Sequence, residues 1–370
     1  MNILIINWRD IYNPLYGGAE IHITKIADYL KKSHNIFFLT SHYSGAPNFE
    51  KRNGINYIRM GNEYLFNYSV YTHLKRVIRY YGIDFIIEDI NKIPFYTPLL
   101  TSKPQLTVVP HIFGESIFEQ TNPVFASYVY LAEKPIPYIY KDKQFEVISR
   151  STMNDLTDRG IKRDNITVIE CGIDRTYTYM RNIRKSDKPL IVYVGRLKKY
   201  KSVQHIIRAM ATIKNELPQS KLIIAGKGDY ESELIYLTQK LGLEKHVEFA
   251  GYISEEKKWQ LLREAWVSVY PSLIEGWGIV NIEANLMKTP VVCSDVEGLR
   301  DSVNNNYSGM LYEYGNIEKL SSSILALLKN EVLRSQYEEN ALKWAENFTW
   351  KNTGKRSLSL IYQILTNQSI

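Results

Sequence analysis

Short apolar runs recur along the chain, spaced so that one helix fits between each pair. In the first part they fall at residues 3–7, 36–40, 57–60, 85–88, 106–110 and 145–149. Each is rich in Val, Ile, Leu or Phe and bounded by polar residues, Gly or Pro, as strands buried on both faces are. Between the first two, Ile21, Ile23, Ile26, Ala27 and Leu30 recur at helical spacing and predict a helix that covers a sheet. Such alternation predicts a doubly wound parallel sheet. The rhythm breaks near residues 175–188, where Arg181, Arg184, Lys185, Ser186, Asp187 and Lys188 precede Pro189, and this stretch reads as a linker. It then restarts with strands at 190–194, 222–225, 247–250, 266–270 and 291–294 and a helix over 203–213. Two successive α/β sheets are therefore expected.

Composition agrees with that reading. A chain of 370 residues exceeds one ordinary core and fits about two domains of ~150–200 residues. Hydrophobic residues at 45% with 23% charged are those of a soluble globular protein. No apolar run nears the ~18 residues of a spanning helix, and residues 1–6 form a strand with no basic leader, so a cytoplasmic protein is expected. Cys171 and Cys293 are the only cysteines, giving neither a disulfide framework nor a zinc spacing, and packing is their expected role. The net charge of +7 is spread along the chain, which argues against nucleic acid as a partner and leaves a mildly basic surface. Residues 68–81 and 125–143 mix Lys and Arg with tyrosines. Such segments can rest on an anionic membrane as a peripheral contact, or be ordinary amphipathic helices with snorkelling lysines.

Candidate chemistry gathers where strands end. Residues 271–284 carry a strand into Pro271, then Glu275, Gly276, Trp277 and Gly278, then a helix marked by Ile279, Ile282 and Leu286, with Glu283 on it. Amides at a helix N-terminus suit a phosphate, and carboxylates accept hydroxyl groups, so the stretch suits a phosphate flanked by hydroxyls, as in a nucleotide sugar. A capped helix with one solvated carboxylate would read the same way. After the strand at 190–194, Gly195 and Arg196 lead to Lys201, two cations placed to clamp a diphosphate. Gly226 and Gly228 form a close-approach loop after the next strand. Gly17 and Gly18 open the first helix in the same strand–loop–helix arrangement, and their spacing is not the GxGxxG of a dinucleotide site. All these loops leave the carboxyl ends of strands, where open α/β sheets bind ligands.

These residues resemble the family 4 retaining glycosyltransferases. The likeness covers nearly the whole chain. It rests on Asp10 and Pro14 ahead of Gly17-Gly18-Ala19-Glu20, on Pro110-His111-Ile112-Phe113-Gly114-Glu115, on residues 149–160 running into 168–174, on Val194-Gly195-Arg196-Leu197 with Lys201, and on the Glu-x7-Glu pattern from Glu275 to Glu283. Cys171 stands where the family more often has Asn, and Trp277 where many members have Phe.

The resemblance implies the GT-B fold: two Rossmann-like doubly wound parallel-sheet domains facing across a donor-binding cleft. It places residues 1–180 with 350–370 in an acceptor-side domain closed by a C-terminal crossover helix, and 181–349 in a nucleotide-sugar domain. Arg196 and Lys201 are implied to clamp the diphosphate and Glu283 to hold the ribose. Glu275, with the amides of Gly276, Trp277 and Gly278, is implied to hold the donor sugar and its phosphates. Gly17 and Gly18 match the loop near the diphosphate or acceptor, and His111 the histidine facing the transferred sugar; a satisfied core imidazole is the plain alternative. Arg196, Lys201, Glu275 and His111 are the expected catalytic groups, and Gly195, Gly226 and Gly228 line the donor loops. The implied reaction moves a sugar from a nucleotide-diphosphate sugar to a glycan or lipid-linked hydroxyl acceptor, with no cofactor and no metal. A nucleotide-sugar epimerase on the same fold, or a non-catalytic sugar-nucleotide or glycan binder, would carry many of the same residues.

Overall fold

The computed structural model describes residues 1–119 and 121–367 and contains two compact units. The first is Met1–Gly172 with Trp350–Ile370, the second Ile173–Thr349.

Eight strands form the first unit's sheet: β1 (Asn2–Ile6), β2 (Asn35–Thr40), β3 (Phe49–Arg52), β4 (Ile55–Arg59), β5 (Phe85–Asp89), β6 (Gln105–Val109), β7 (Gln144–Val147) and β8 (Ile166–Val168), in the order β3-β4-β2-β1-β5-β6-β7-β8. All pairs are parallel except β3 with β4, which form an antiparallel edge. The central strands are solidly apolar because both sheet faces are covered: Ile3, Leu4, Ile5 and Ile6 are wholly buried. Ile3 and Ile5 pack with Ile23, Ala27 and Leu30 of the helix Gly18–Leu30 on one face, while Leu4 and Ile6 pack with Phe66, Val70 and Leu74 of the helix Phe66–Tyr81 on the other. The helix Trp350–Asn367 joins the first face through Leu360, Ile361 and Ile364, and its Arg356 pairs with Glu170 at 2.6 Å.

The second unit's sheet holds β9 (Leu190–Val194), β10 (Lys221–Ala225), β11 (Val247–Gly251), β12 (Val267–Tyr270), β13 (Val291–Ser294) and β14 (Gly309–Tyr312), in the order β11-β10-β9-β12-β13-β14. Every pair is parallel. The expected strands are therefore all present, and β3, β8 and β14 are additional. Those three are short, and β3 is mostly polar because it lies at an edge, so the apolar pattern did not mark it.

The stretch expected to be a linker belongs to the second unit. Lys185 Nζ donates to the carbonyls of Ala265 (2.6 Å) and Lys288 (2.8 Å) and to Thr289 Oγ1 (2.7 Å), Trp266 Nε1 donates to Ser186 O (2.8 Å), and Met180 is buried. A lysine that closes three hydrogen bonds under a sheet is structure, although its charge made it look like a solvated connector. The boundary between the units accordingly falls at 172/173, not at 180/181. Among the described residues no helix is long and apolar enough to cross a membrane.

Candidate functional site

Each sheet has one switch point, where successive connections leave in opposite directions along the strand order. It lies between β1 and β5 in the first unit and between β9 and β12 in the second. Diverging loops leave a crevice there at the carboxyl ends of the strands.

In the second unit that crevice holds most of the expected residues. The loop after β9 carries Arg196, Tyr200 and Lys201, and the loop after β12 carries Ser272, Glu275 and Gly278; Leu273 N donates to Tyr200 O at 2.8 Å and joins the two. The Lys201 ammonium forms an ion pair with Glu275 Oε1, to which Ser272 Oγ also donates at 3.0 Å. Both side chains of the pair are mostly shielded, at 12% and 20% exposure. Arg196 is exposed, its guanidinium donating to Tyr200 Oη at 3.1 Å. Its backbone is fixed from below, because the buried Tyr193 Oη donates to Arg196 O at 2.9 Å.

The helix Ile279–Leu286 begins beside this pair. Gly278 caps it in the left-handed region (φ 69°, ψ 50°), and no side chain caps its first turn. A side chain at Gly278 would also meet Leu299 at 2.8 Å and Ser302 at 2.9 Å, so geometry and space both require glycine. Trp277 turns inward, nearly buried, its ring 5.6 Å from that of Phe348 in an edge contact. It can offer a ligand its backbone but not its indole.

Glu283 lies on the same helix, buried, with Oε1 accepting from Lys258 Nζ at 2.9 Å. Its other oxygen has no partner among the described residues. Burial raises the Glu283 pKa, against the pull of Lys258, and the carboxylates Glu283 and Glu255 raise that of Lys258 despite its own burial. Sequence reasoning missed Lys258. Its signal was present in Ser254-Glu255-Glu256-Lys257-Lys258, but nothing there says which of two lysines reaches Glu283.

Gly226 and Gly228 need a different explanation from the one expected. Their close approach is to the neighbouring loop and not to open space: a Cβ on Gly226 (φ +143°) would fall 1.8 Å from Gly195 O, and one on Gly228 2.0 Å from Leu197 O. The two loops interlock, with Gly195 N donating to Ala225 O (2.9 Å), Leu197 N to Lys227 O (3.0 Å) and Tyr230 N to Leu197 O (3.1 Å). These glycines hold the Gly195–Arg196 segment in place.

In the first unit, Gly17 precedes the helix Gly18–Leu30, and its N–H donates to Glu20 Oε2 at 2.7 Å. Gly17 is extended (φ −140°), and a Cβ on Gly18 would meet nothing within 4 Å, so the helix start opens onto free space. Asn91 Nδ2 donates to Glu20 Oε1 (3.3 Å) and to Asn7 Oδ1 (2.8 Å), tying the loops after β1 and β5 together at the switch point. His111 follows β6 by one residue, is half-buried, and meets the Phe113 ring edge-on at 4.3 Å. Buried Glu133, also unforeseen, shapes this turn by accepting from Phe113 N and Gly114 N, both at 2.8 Å. Arg196, Lys201, Glu275 and Gly278 thus lie at the β9/β12 switch point, Glu283 stands on the helix that starts there, and Gly17, Gly18 and His111 stand on the first unit. Among the described residues no three His, Cys, Asp or Glu side chains gather as a metal site would require.

Comparison with known proteins converges on one family. Residues 16–177 match the family described as Glycosyltransferase Family 4, and residues 178–344 the one described as Glycosyl transferases group 1. An uncharacterized glycosyltransferase of Methanocaldococcus jannaschii is 25% identical, over 98% of this chain and 98% of its own length. Among solved structures, a glycosyltransferase from Rickettsia africae superposes with a TM-score of 0.81 at 19% identity, covering 99% of both chains. The Anabaena protein HepE, in complex with UDP and glucose, superposes with a TM-score of 0.72 at 17% identity over 98% of this chain and 100% of its own. The fold is thus that of the GT-B glycosyltransferases, and the chain belongs to family 4 of the glycosyltransferases, the group 1 glycosyl transferases.

Proposed function

We propose that this glycosyltransferase moves a sugar from a nucleoside-diphosphate sugar to a hydroxyl acceptor with retention of anomeric configuration and without a metal ion, in the synthesis of a polysaccharide, glycolipid or cell-envelope glycan. The observation that carries this reading is the crevice at the β9/β12 switch point, where the Lys201–Glu275 pair, the exposed Arg196 and an uncapped helix start lie together.

Glycosyl transfer passes through an oxocarbenium-like state while negative charge builds on the departing diphosphate. Arg196 and Lys201 supply positive charge for that group, and the amides at Gly276 to Gly278 add the dipole of the helix start. Lys201 is held by Glu275 before any ligand arrives. A diphosphate can take over the ammonium and free the Glu275 carboxylate to accept sugar hydroxyls, so donor binding itself would prepare both groups. The unpartnered oxygen of Glu283 suits a ribose hydroxyl, and Lys258 holds the carboxylate in place by its other oxygen. His111, on the first unit, is assigned the orientation of the transferred sugar. Displacement on the front face, with the leaving phosphate oxygen taking the acceptor proton, needs no protein nucleophile. UDP bound in the HepE structure supports a uridine donor as the first to try.

The test is a thermal-shift and calorimetric panel of nucleoside diphosphates and their sugars. A ligand at ~100 times its dissociation constant adds ~2.7 kcal/mol of apparent stability. NMR of the product's anomeric centre then decides retention, and activity that survives EDTA decides metal independence. Indifference to every nucleotide sugar would sink the reading.

A further inference from the structure

The switch point of the first unit carries a second cavity, of different chemistry. It has a volume of about 330 Å³, within the range of small-molecule sites. Trp8 and Arg9, just after β1, and Lys92 and Ile93, just after β5, form one side. Phe113 and Ile117 of the turn after β6, with Phe125 and Val129 of the helix Pro123–Glu133, form the other. Tyr64, Phe125 and Tyr128 stand at its mouth, each at least half-exposed.

Two features show what would fill it. The walls are aromatic and aliphatic, which suits an apolar group and leaves little for a sugar ring's hydroxyls to bond. Two cations and one carboxylate, Glu63, nevertheless share the lining. Arg9 is already spoken for, donating to Glu63 at 2.9 Å and to Leu15 O at 2.9 Å. Lys92 is not: its ammonium lies 5.3 Å from the centre of the Trp8 ring and has no carboxylate within ion-pair distance among the described residues. Burial, and then Arg9, lower its pKa, and the more distant carboxylates of Glu20 and Glu63 offset this only in part. The cavity also touches the expected site, since its wall residue Phe113 is the ring against which His111 packs.

We propose that this cavity anchors an amphiphilic acceptor, its apolar chain against Trp8, Phe113 and Ile117 and its anionic group, a phosphate or carboxylate, on Lys92. That the bound molecule is the acceptor rests on the sugar-transfer reading above; the ligand class does not.

The probe is octyl phosphate, compared with octan-1-ol and inorganic phosphate by calorimetry on the full chain, with nucleoside-diphosphate binding measured on the same samples. Octyl phosphate should bind about tenfold more tightly than octanol, and inorganic phosphate should not bind measurably. Lys92→Met should reduce octyl phosphate to the level of octanol, and Lys92→Arg should restore the preference. Ile117→Trp, which fills the cavity, should remove binding of both. Phe125→Asp, at a half-exposed mouth position, should weaken octyl phosphate more than octanol if Ile117→Trp does not fold. Nucleoside-diphosphate binding should persist throughout. The proposal is overturned if the wild type binds no octyl phosphate, shows no preference over octanol, or keeps its binding in both Lys92→Met and the cavity variant. Octyl phosphate binding without any nucleoside-diphosphate binding would instead remove the sugar-transfer reading and leave the ligand class standing.

Discussion

The two units solve the same geometric problem with opposite chemistry. In both, a parallel sheet reverses its winding and opens a crevice at the strand ends. The second unit lines that crevice with ion pairs that retain some access to water, Lys201 with Glu275 and Lys258 with Glu283. The first lines it mainly with aromatic and aliphatic side chains, beside the Arg9–Glu63 pair and a Lys92 that has no ion-pair partner among the described residues, and keeps Glu88, Asp89 and Glu146 deep in the sheet. Glu88 in β5 accepts from Phe95 N (2.7 Å), Tyr140 Oη (2.6 Å) and Thr97, and so serves as a structural bracket. Burial raises the pKa of Glu146 to about 8 and drives that of Asp89 well up, so burial favours the neutral acid at both. A carboxylate held by a cation at the surface of a crevice can exchange that partner for a ligand. One surrounded by strands takes up a proton and becomes part of the core.

That contrast can be broken in several places. Glu275→Gln should have the largest effect, lowering the initial rate of sugar transfer by ~10²–10³ while calorimetry finds nucleoside-diphosphate binding little changed. Equal losses in both assays would mean that Glu275 holds the nucleotide and not the sugar. Gly226→Ala should cost the second unit about 3 kcal/mol in urea unfolding, because its Cβ has no space beside Gly195 O and its φ of +143° disfavours any side chain. Lys258→Met should cost about 2 kcal/mol, since it strands a buried carboxylate, and should weaken nucleoside-diphosphate binding about tenfold. Unchanged binding would separate Glu283 from the ribose.

The buried acids predict a pH dependence in the first unit. Glu146 titrates at about 8 when folded and near 4.5 when unfolded. Folded protein therefore holds more protons between those values, and stability falls as pH rises. His22, lowered to about 4 by burial, acts in the opposite sense, mainly between that value and its unfolded value of 6.5. From pH 6.5 to 8 the Glu146 contribution amounts to a loss on the order of 2 kcal/mol, opposed above about pH 7 in the second unit by Lys185, whose pKa burial lowers to about 7. Glu146→Gln should flatten that slope in unfolding curves at the two pH values, and a slope that persists would assign it to Asp89. Gly18→Ala should do least, changing stability by less than about 0.5 kcal/mol, because nothing lies near that position.

Most of the architecture was legible because a strand buried on both faces must be apolar along its length. Ile3 to Ile6, or Leu190 to Val192, cannot be anything else in so regular an alternation. The edge strand Phe49–Arg52 was not legible, since it has little to bury. The charged stretch around Lys185 misled for a related reason: composition records that a lysine is present but not whether three acceptors wait for its ammonium.

The sequence by itself determined that two α/β sheets share this chain, and that glycines, cations and carboxylates cluster at strand ends, because burial period and turn chemistry are local properties. Only the tertiary structure decided how those groups pair. Lys201 meets Glu275, Lys258 meets Glu283, Gly226 makes room for Gly195, and Lys92 is left above Trp8 with no carboxylate within ion-pair distance among the described residues. These partners lie on different strands and helices, and which side chains meet depends on strand order and loop packing, which no local pattern encodes.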